Sequence, residues 1–136
     1  MTVALDTSAL AAVVFGEPEA EQVLAVMVRA AGDLTLSAAT AVEAGIVIEA
    51  RQGPDATRDL HVLLTRLRVT TVPVDERQAA AAVAAWRRFG KGRHPAGLNL
   101  GGCFSYALAT TSGASLLFTG DDFQKTGVAA AWQPET

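Results

Sequence analysis

Residues 1–10, MTVALDTSAL, contain the pattern on which the fold prediction rests. The apolar run 1–5 is long enough for a short buried strand, and it stops at the polar triplet Asp6-Thr7-Ser8. Ser8 is a favourable N-cap, so a helix is expected over 9–14. A buried strand followed at once by a helix is typical of a parallel β-α-β unit.

Strand-like and helix-like patterns continue to alternate along the rest of the chain. Further strands are expected at 34–36, 69–74 and 115–119, with a short edge strand at 128–131. Helices are expected at 19–31, 39–51 (with Val42, Ile46 and Ala50 on one face), 55–68, 76–89 (capped by Asp75) and 100–112. The alternation predicts an α/β fold in three layers, with a central and mostly parallel sheet, as a single domain over residues 1–136.

Composition restricts the class of protein. The chain has 136 residues, of which 50% are hydrophobic and 18% charged, and this excludes intrinsic disorder. Its one cysteine excludes a disulfide framework and a cysteine-based zinc site, and it favours a cytoplasmic protein. A net charge of −3 argues against binding nucleic acid through bulk charge. The uncharged span 95–120 contains Pro95, Asn99 and five glycines, so no membrane span is expected.

Acidic residues stand where the strands of such a sheet would end. Asp6 follows the first strand, Asp121 and Asp122 follow the fourth, and Glu43 interrupts the apolar helix segment 38–48. Each has a simpler interpretation, because Asp is common in helix caps and turns and Glu43 could face solvent. Parallel strands nevertheless bring their carboxyl ends to one edge. Three carboxylates without His or Cys suit Mg²⁺ or Mn²⁺ and predict phosphodiester hydrolysis or phosphoryl transfer.

Two other folds with acidic sites can be tested on the residues beside Asp6. A haloacid-dehalogenase-type phosphatase needs a second Asp two residues after its nucleophile, and Ser8 stands there. A response-regulator receiver needs two acids near the end of the first strand, and only Asp6 is available. A phosphatase or phosphoacceptor domain is therefore the weakest alternative.

At these residues the chain resembles a PIN-domain ribonuclease of the VapC type, the toxin of a type II toxin–antitoxin pair. The matching pieces are LDTSAL (5–10), Glu43, GKGRHPAGLNLGGCFSYALA (90–109) and LLFTGDDF (116–123). The third stretch is the most specific, and together the pieces span nearly the whole chain in order.

The resemblance implies an acidic quartet that holds Mg²⁺ or Mn²⁺ for cutting RNA. Asp6 and Glu43 would be its first two members and Asp121 the fourth, with Asp122 as a supplement. Ser8 would orient the carboxylates and Asn99 would order the loop before the last helix. The family also implies a homodimer and a VapB-like antitoxin, which lays a C-terminal segment over the active groove.

Gly102 departs from the family pattern. Family members have Gly-Asp-Cys-Phe where this chain has Gly101-Gly102-Cys103-Phe104, so the third quartet member is missing. Helix stability does not favour Gly here, because Gly in a helix interior is up to about 1 kcal/mol worse than Ala. We therefore expect catalysis to be impaired.

Cations cluster between the last two helices. Lys91 and Arg93 lie in a short basic stretch that leads toward Asn99, and such a strip can steer a phosphate backbone despite the negative net charge. The alternative is a solvated helix end at which the helix dipole favours cations. Lys91 and Arg93 are the candidate RNA contacts.

The preferred hypothesis is a Mg²⁺- or Mn²⁺-dependent endoribonuclease in which metal-bound water attacks an RNA phosphodiester, impaired in this chain by Gly102. The alternative hypothesis is a non-catalytic module that binds antitoxin or RNA through a degenerate nuclease site.

Overall fold

The strands form one parallel sheet in the order β3-β2-β1-β4 in the computed structural model, which describes residues 1–134. The strand bounds are β1 Val3–Leu5, β2 Leu34–Ser37, β3 Thr70–Val72 and β4 Ser115–Leu117. In the centre of the sheet, Val3 lies opposite Leu34 on one side and Ser115 on the other. All three strand pairs are parallel, in agreement with the predicted sheet.

Helices cover both faces of this sheet. Their bounds are α1 Thr7–Phe15, α2 Ala20–Arg29, α3 Ala38–Gln52, α4 Pro54–Arg66, α5 Glu76–Phe89 and α6 Leu100–Ser112, with a 3₁₀ turn at Phe123–Thr126. Val3 and Leu5 pack into a core formed with α1 to α4, whereas Ala4 packs into a second core formed with α5 and α6. The three-layer α/β prediction is therefore confirmed. Within residues 1–134, no helix is both long and apolar enough to cross a bilayer.

The start of α1 differs from the prediction. Ser8 does not cap a helix that begins at residue 9; instead Asp6 is the N-cap and the helix begins at Thr7. The backbone of Asp6 is extended, so its carboxylate reaches forward and accepts the Ser8 N–H at 3.0 Å. The helix therefore starts two residues early, and the acid at the end of β1 is fixed by the helix that follows.

One other expectation needs correction. The tail does not form a strand over 128–131, since only one bridge joins Leu116 to Ala130. In α3, Val42 and Ile46 do share a face, but that face is exposed, with 62% and 64% of these residues accessible to solvent. The buried side of α3 carries Thr40, Ala44 and Ile48.

Candidate active site

A cavity of about 330 Å³ opens beyond the carboxyl end of β1. It is lined by residues from both halves of the chain, including Asp6, Ser8, Glu43, Asn99, Gly102 and Asp122. The parallel sheet accounts for this location, because crevices in such sheets lie beyond the carboxyl ends of the strands.

Asp6 is held at the base of this cavity by three hydrogen bonds. One carboxylate oxygen accepts the Ser105 hydroxyl at 2.6 Å, and the other accepts both the N–H and the hydroxyl of Ser8, at 3.0 and 2.7 Å. The residue is only 6% exposed, so these donors compensate for the loss of water around a charged group. The Ser8 hydroxyl also accepts the N–H of Thr119, which links α1 to the segment after β4.

Glu43 reaches the same cavity from α3. Its carboxylate accepts a hydrogen bond from the Thr7 hydroxyl and occupies the place that a Cβ on Gly101, at the start of α6, would take. The side chain is half-buried. Glu43 is therefore neither a fully buried acid nor a solvent-facing one, because α1, α3 and α6 meet around it.

The two consecutive acids after β4 separate in the structure. Asp122 lines the cavity that contains Asp6 and Glu43, whereas Asp121 lines a neighbouring cavity of about 390 Å³ together with Glu17 and Glu19. In that neighbouring cavity, burial raises the pKa of Glu17 above its usual range, and a hydrogen bond and the negative charge of Glu19 raise it further, while Arg51 lowers it. Asp121 thus lines a cavity rich in acids, which shares Glu17 and Thr119 with the cavity of Asp6.

Gly102 occupies the first turn of α6, where the family has its third acid. The residue is buried and lines the Asp6 cavity, and its N–H donates to the side chain of Asn99, the N-cap of α6, at 2.8 Å. A Cβ placed on Gly102 would lie 3.3–3.5 Å from Asn99, Leu98 and Phe123. A Cβ therefore fits here once the Asn99 side chain gives slightly, and Asn99 orders the helix start from which a side chain would project.

The residues present do not make up a metal-holding group. Among the described residues, no three His, Cys, Asp or Glu side chains come together in a way that could bind a metal ion. Gly102 supplies no oxygen, and Asp121 lines the adjacent cavity. The site therefore presents Asp6 and Glu43, with Asp122 on the wall, but not a complete carboxylate centre.

The two candidate RNA-binding cations lie outside this cavity. Lys91 is exposed and lines an apolar groove of about 680 Å³ along α5 and the start of α6. The guanidinium of Arg93 lies 4.6 Å from the ring centre of Trp86, and its Nε donates to the backbone carbonyl of Arg87. Asn99 lines both the groove and the Asp6 cavity, so the cations flank the site without entering it.

Two residues that contact the acids were missed by sequence reasoning. Ser105, on α6, donates to Asp6, and Thr7 donates to Glu43. Ser105 follows Gly102 by three residues, a helical spacing that places the two on one face, and this was the available signal. Thr7 carried no signal beyond its position next to Asp6.

Comparison with known proteins identifies the family of this chain. The family model described as a PIN domain matches residues 3–129. The chain therefore belongs to the PIN-domain family.

The relatives within that family are VapC ribonucleases. Ribonuclease VapC of Mycolicibacterium smegmatis is 51% identical over 129 residues, which cover 93% of this chain and 97% of that protein. Ribonuclease VapC30 of Mycobacterium tuberculosis is 49% identical over 130 residues, which cover 96% of this chain and 98% of that protein. Among solved structures, Mycobacterium tuberculosis VapC20, described as a toxin that cleaves the sarcin–ricin loop, has a TM-score of 0.78 at 16% identity. That match covers 94% of this chain and 97% of VapC20, and it shows a shared fold.

Proposed function

We propose that this chain is the toxin of a type II toxin–antitoxin pair and that its cavity is an RNA-hydrolysing site impaired by Gly102. The observation that carries the proposal is the meeting of Asp6, Glu43 and Gly102 in one cavity at the end of β1. Nearly full-length similarity to proteins named ribonuclease VapC supports the same activity.

Impairment follows from the donor set. A hard divalent cation such as Mg²⁺ or Mn²⁺ takes oxygen ligands, and phosphoryl chemistry of this class uses it to stabilise developing charge. Asp6 and Glu43 offer two carboxylates, and position 102 offers none. We therefore propose that the present chain binds Mg²⁺ or Mn²⁺ weakly. RNA cleavage that depends on the cation would then require an Asp at position 102.

The test is to restore the acid with Gly102→Asp. Structured RNA and Mn²⁺ are incubated with the parent chain and with the variant, each with and without EDTA. Cleavage is expected from the variant alone, and it should be lost with EDTA. An added Cβ at position 102 requires Asn99 to shift by only a few tenths of an ångström, so we expect the variant to fold. Asp6→Asn in the Gly102→Asp chain controls for a contaminating nuclease, and equal cleavage by the parent and the Gly102→Asp chain would contradict the proposed impairment.

The fourth carboxylate is proposed to come from the pair Asp121 and Asp122. The resemblance assigns Asp121 with Asp122 as a supplement, whereas the cavity lining favours Asp122. Asp121→Asn and Asp122→Asn, each in the Gly102→Asp chain, separate the two. The replacement that lowers the cleavage rate more identifies the acid that serves the site.

A non-catalytic module is the second candidate function. The lack of a metal-holding group among residues 1–134 favours it, because binding of antitoxin or RNA does not require one. If neither the parent nor Gly102→Asp cleaves RNA while binding persists, this function replaces the first.

The partners are also proposals. A VapB-like antitoxin would cover the cavity beside the exposed apolar side of α3, formed by Val42, Ile46 and Val47. A homodimer would bury the exposed Trp86 and Leu100, which line the apolar groove. Light scattering on the purified chain, alone and with the antitoxin, measures both assemblies.

A further inference from the structure

Two adjacent glycines begin α6, and their surroundings differ. At Gly102 an added Cβ would lie 3.4 and 3.5 Å from Leu98 and Phe123, which is ordinary contact, and 3.3 Å from Asn99, which would have to shift only slightly. At Gly101 the place of the Cβ is already taken by the carboxylate of Glu43, in a contact closer than any real Cβ makes. Gly101, unlike Gly102, can therefore gain a side chain only if the Glu43 carboxylate moves.

The obstacle at Gly101 is the far end of a flexible side chain. Glu43 can rotate away without moving the backbone of α3 or α6, so an alanine at position 101 should leave the fold intact. Alanine is also the better helix former, which offsets part of the rearrangement. The same substitution must nevertheless move the Glu43 carboxylate out of the position that it now occupies.

The position of Glu43 is weakly held by other contacts. Asp6 is fixed by three hydrogen bonds, whereas the Glu43 carboxylate has one described hydrogen bond, from Thr7. A single hydrogen bond is too weak to hold the carboxylate against a direct overlap with a methyl group. The space above Gly101 therefore determines where the carboxylate lies.

We infer that Gly101 is a positioning residue: its missing side chain sets the location of the Glu43 carboxylate against the first turn of α6, where RNA hydrolysis is proposed. The effect of Gly101 on catalysis rests on the proposed function. Its geometric part concerns Glu43 alone and can be measured in the parent chain.

The first experiment measures the position of Glu43 directly. The parent chain is labelled with ¹³C-glutamate, and the Glu43 carboxyl resonance is assigned with Glu43→Gln. Gly101→Ala should keep the unfolding temperature and shift this resonance toward that of a solvent-exposed glutamate. Gly45→Ala is the matched control, because it is also a Gly-to-Ala change on a helix, in α3 itself, and has open space around its Cβ. An unmoved resonance in Gly101→Ala would overturn the inference.

The second experiment measures the consequence in the Gly102→Asp chain. Adding Gly101→Ala should lower kcat for RNA cleavage roughly ten- to hundred-fold, as is typical when a group that orients a metal-site residue is lost, with KM little changed. Gly45→Ala should leave kcat unchanged. In a Glu43→Ala background, Gly101→Ala should have no further effect, because the displaced carboxylate is already absent.

The outcomes separate the two ideas. If the resonance moves but kcat is unchanged in an active Gly102→Asp chain, Gly101 has no positioning role in the reaction. If Gly102→Asp is inactive, the proposed function fails by itself, and the Glu43 resonance alone decides whether Gly101 positions the carboxylate.

Discussion

The Ser105 hydroxyl is the donor to one oxygen of Asp6, a buried carboxylate. Ser105→Ala would leave that oxygen, on a residue only 6% exposed, without its described donor. A buried acceptor that loses its donor costs about 1–3 kcal/mol, so we expect the free energy of unfolding to fall by that amount. Urea unfolding at neutral pH measures it.

Ser112 provides the control for this prediction. It lies on the same helix, but it is exposed and its hydroxyl donates to the backbone carbonyl of Leu108. Ser112→Ala should change the free energy of unfolding by about 0.5 kcal/mol or less. Equal losses in the two variants would mean that helix composition, and not the bond to Asp6, determines the effect.

Single residues were predictable from the sequence to different degrees. Asp6 follows a buried strand, and Glu43 interrupts an apolar run, so both could be selected as candidates. The separation of Asp121 from Asp122 could not, because these residues follow Gly120, which has a positive φ, and a turn of this kind has no periodicity from which side-chain direction can be deduced. The role of Ser105 depends on a partner distant in sequence, which spacing along one helix does not reveal.

At the level of whole elements, the N-terminus of α5 offers a direct test. The Asp75 carboxylate accepts the N–H of Gln78 at 2.9 Å, as expected of an N-cap. Asp75→Ala should lower the free energy of unfolding by about 1 kcal/mol, because a helix donor loses its partner. Thermal unfolding measures the change.

Asp55 is the comparison for Asp75. It also lies in the first turn of a helix, but the structure gives it only an exposed ion pair with Arg58 at 3.7 Å. Asp55→Ala should therefore cost about 0.5 kcal/mol or less. A loss as large as that of Asp75→Ala would indicate that the charge near the helix end, and not the capping hydrogen bond, stabilises α5.

The presence of each helix was easier to predict from the sequence than the residue at which it begins or the side that it buries. Each predicted helix is present, because apolar spacing over a dozen residues is a strong signal. The start of α1 was misplaced because both Asp6 and Ser8 are good caps, and only the extended backbone of Asp6 decides between them. The exposure of the apolar side of α3 could not be predicted either. Periodicity places Val42 and Ile46 on one face of the helix, but it does not determine whether that face is buried or exposed.

For the molecule as a whole, charge distribution predicts how RNA would bind. The net charge is −3, so RNA affinity would depend on local cations, of which Lys91 and Arg93 are exposed beside the groove. Replacing both with Ala should weaken RNA binding. It should also reduce the slope of log K against log salt by about 0.7 for each phosphate that these cations neutralise in the parent chain. Fluorescence anisotropy over a salt series measures both quantities.

The control for the cation test lies at the opposite end of the sheet. Arg29 lines a cavity with Met1 and Asp33, where β1 and β2 begin. Arg29→Ala removes a cation far from the acidic cavity and should leave the salt slope unchanged. If Arg29→Ala lowers the salt slope as much as the double replacement of Lys91 and Arg93 does, RNA binding depends on the overall charge of the protein and not on these two cations.

The pairing of β1 with β4 joins the first and last strands of the sheet in chain order. Translation produces β1 before β4, so the two strands can pair only after the helices between them in the chain have been synthesised. Asp6 is therefore translated long before the segment of Thr119 and Asp122 that completes its cavity wall. A chain whose synthesis stops before Ser115 lacks β4 and the Asp122 wall of the cavity, so its site cannot be assembled.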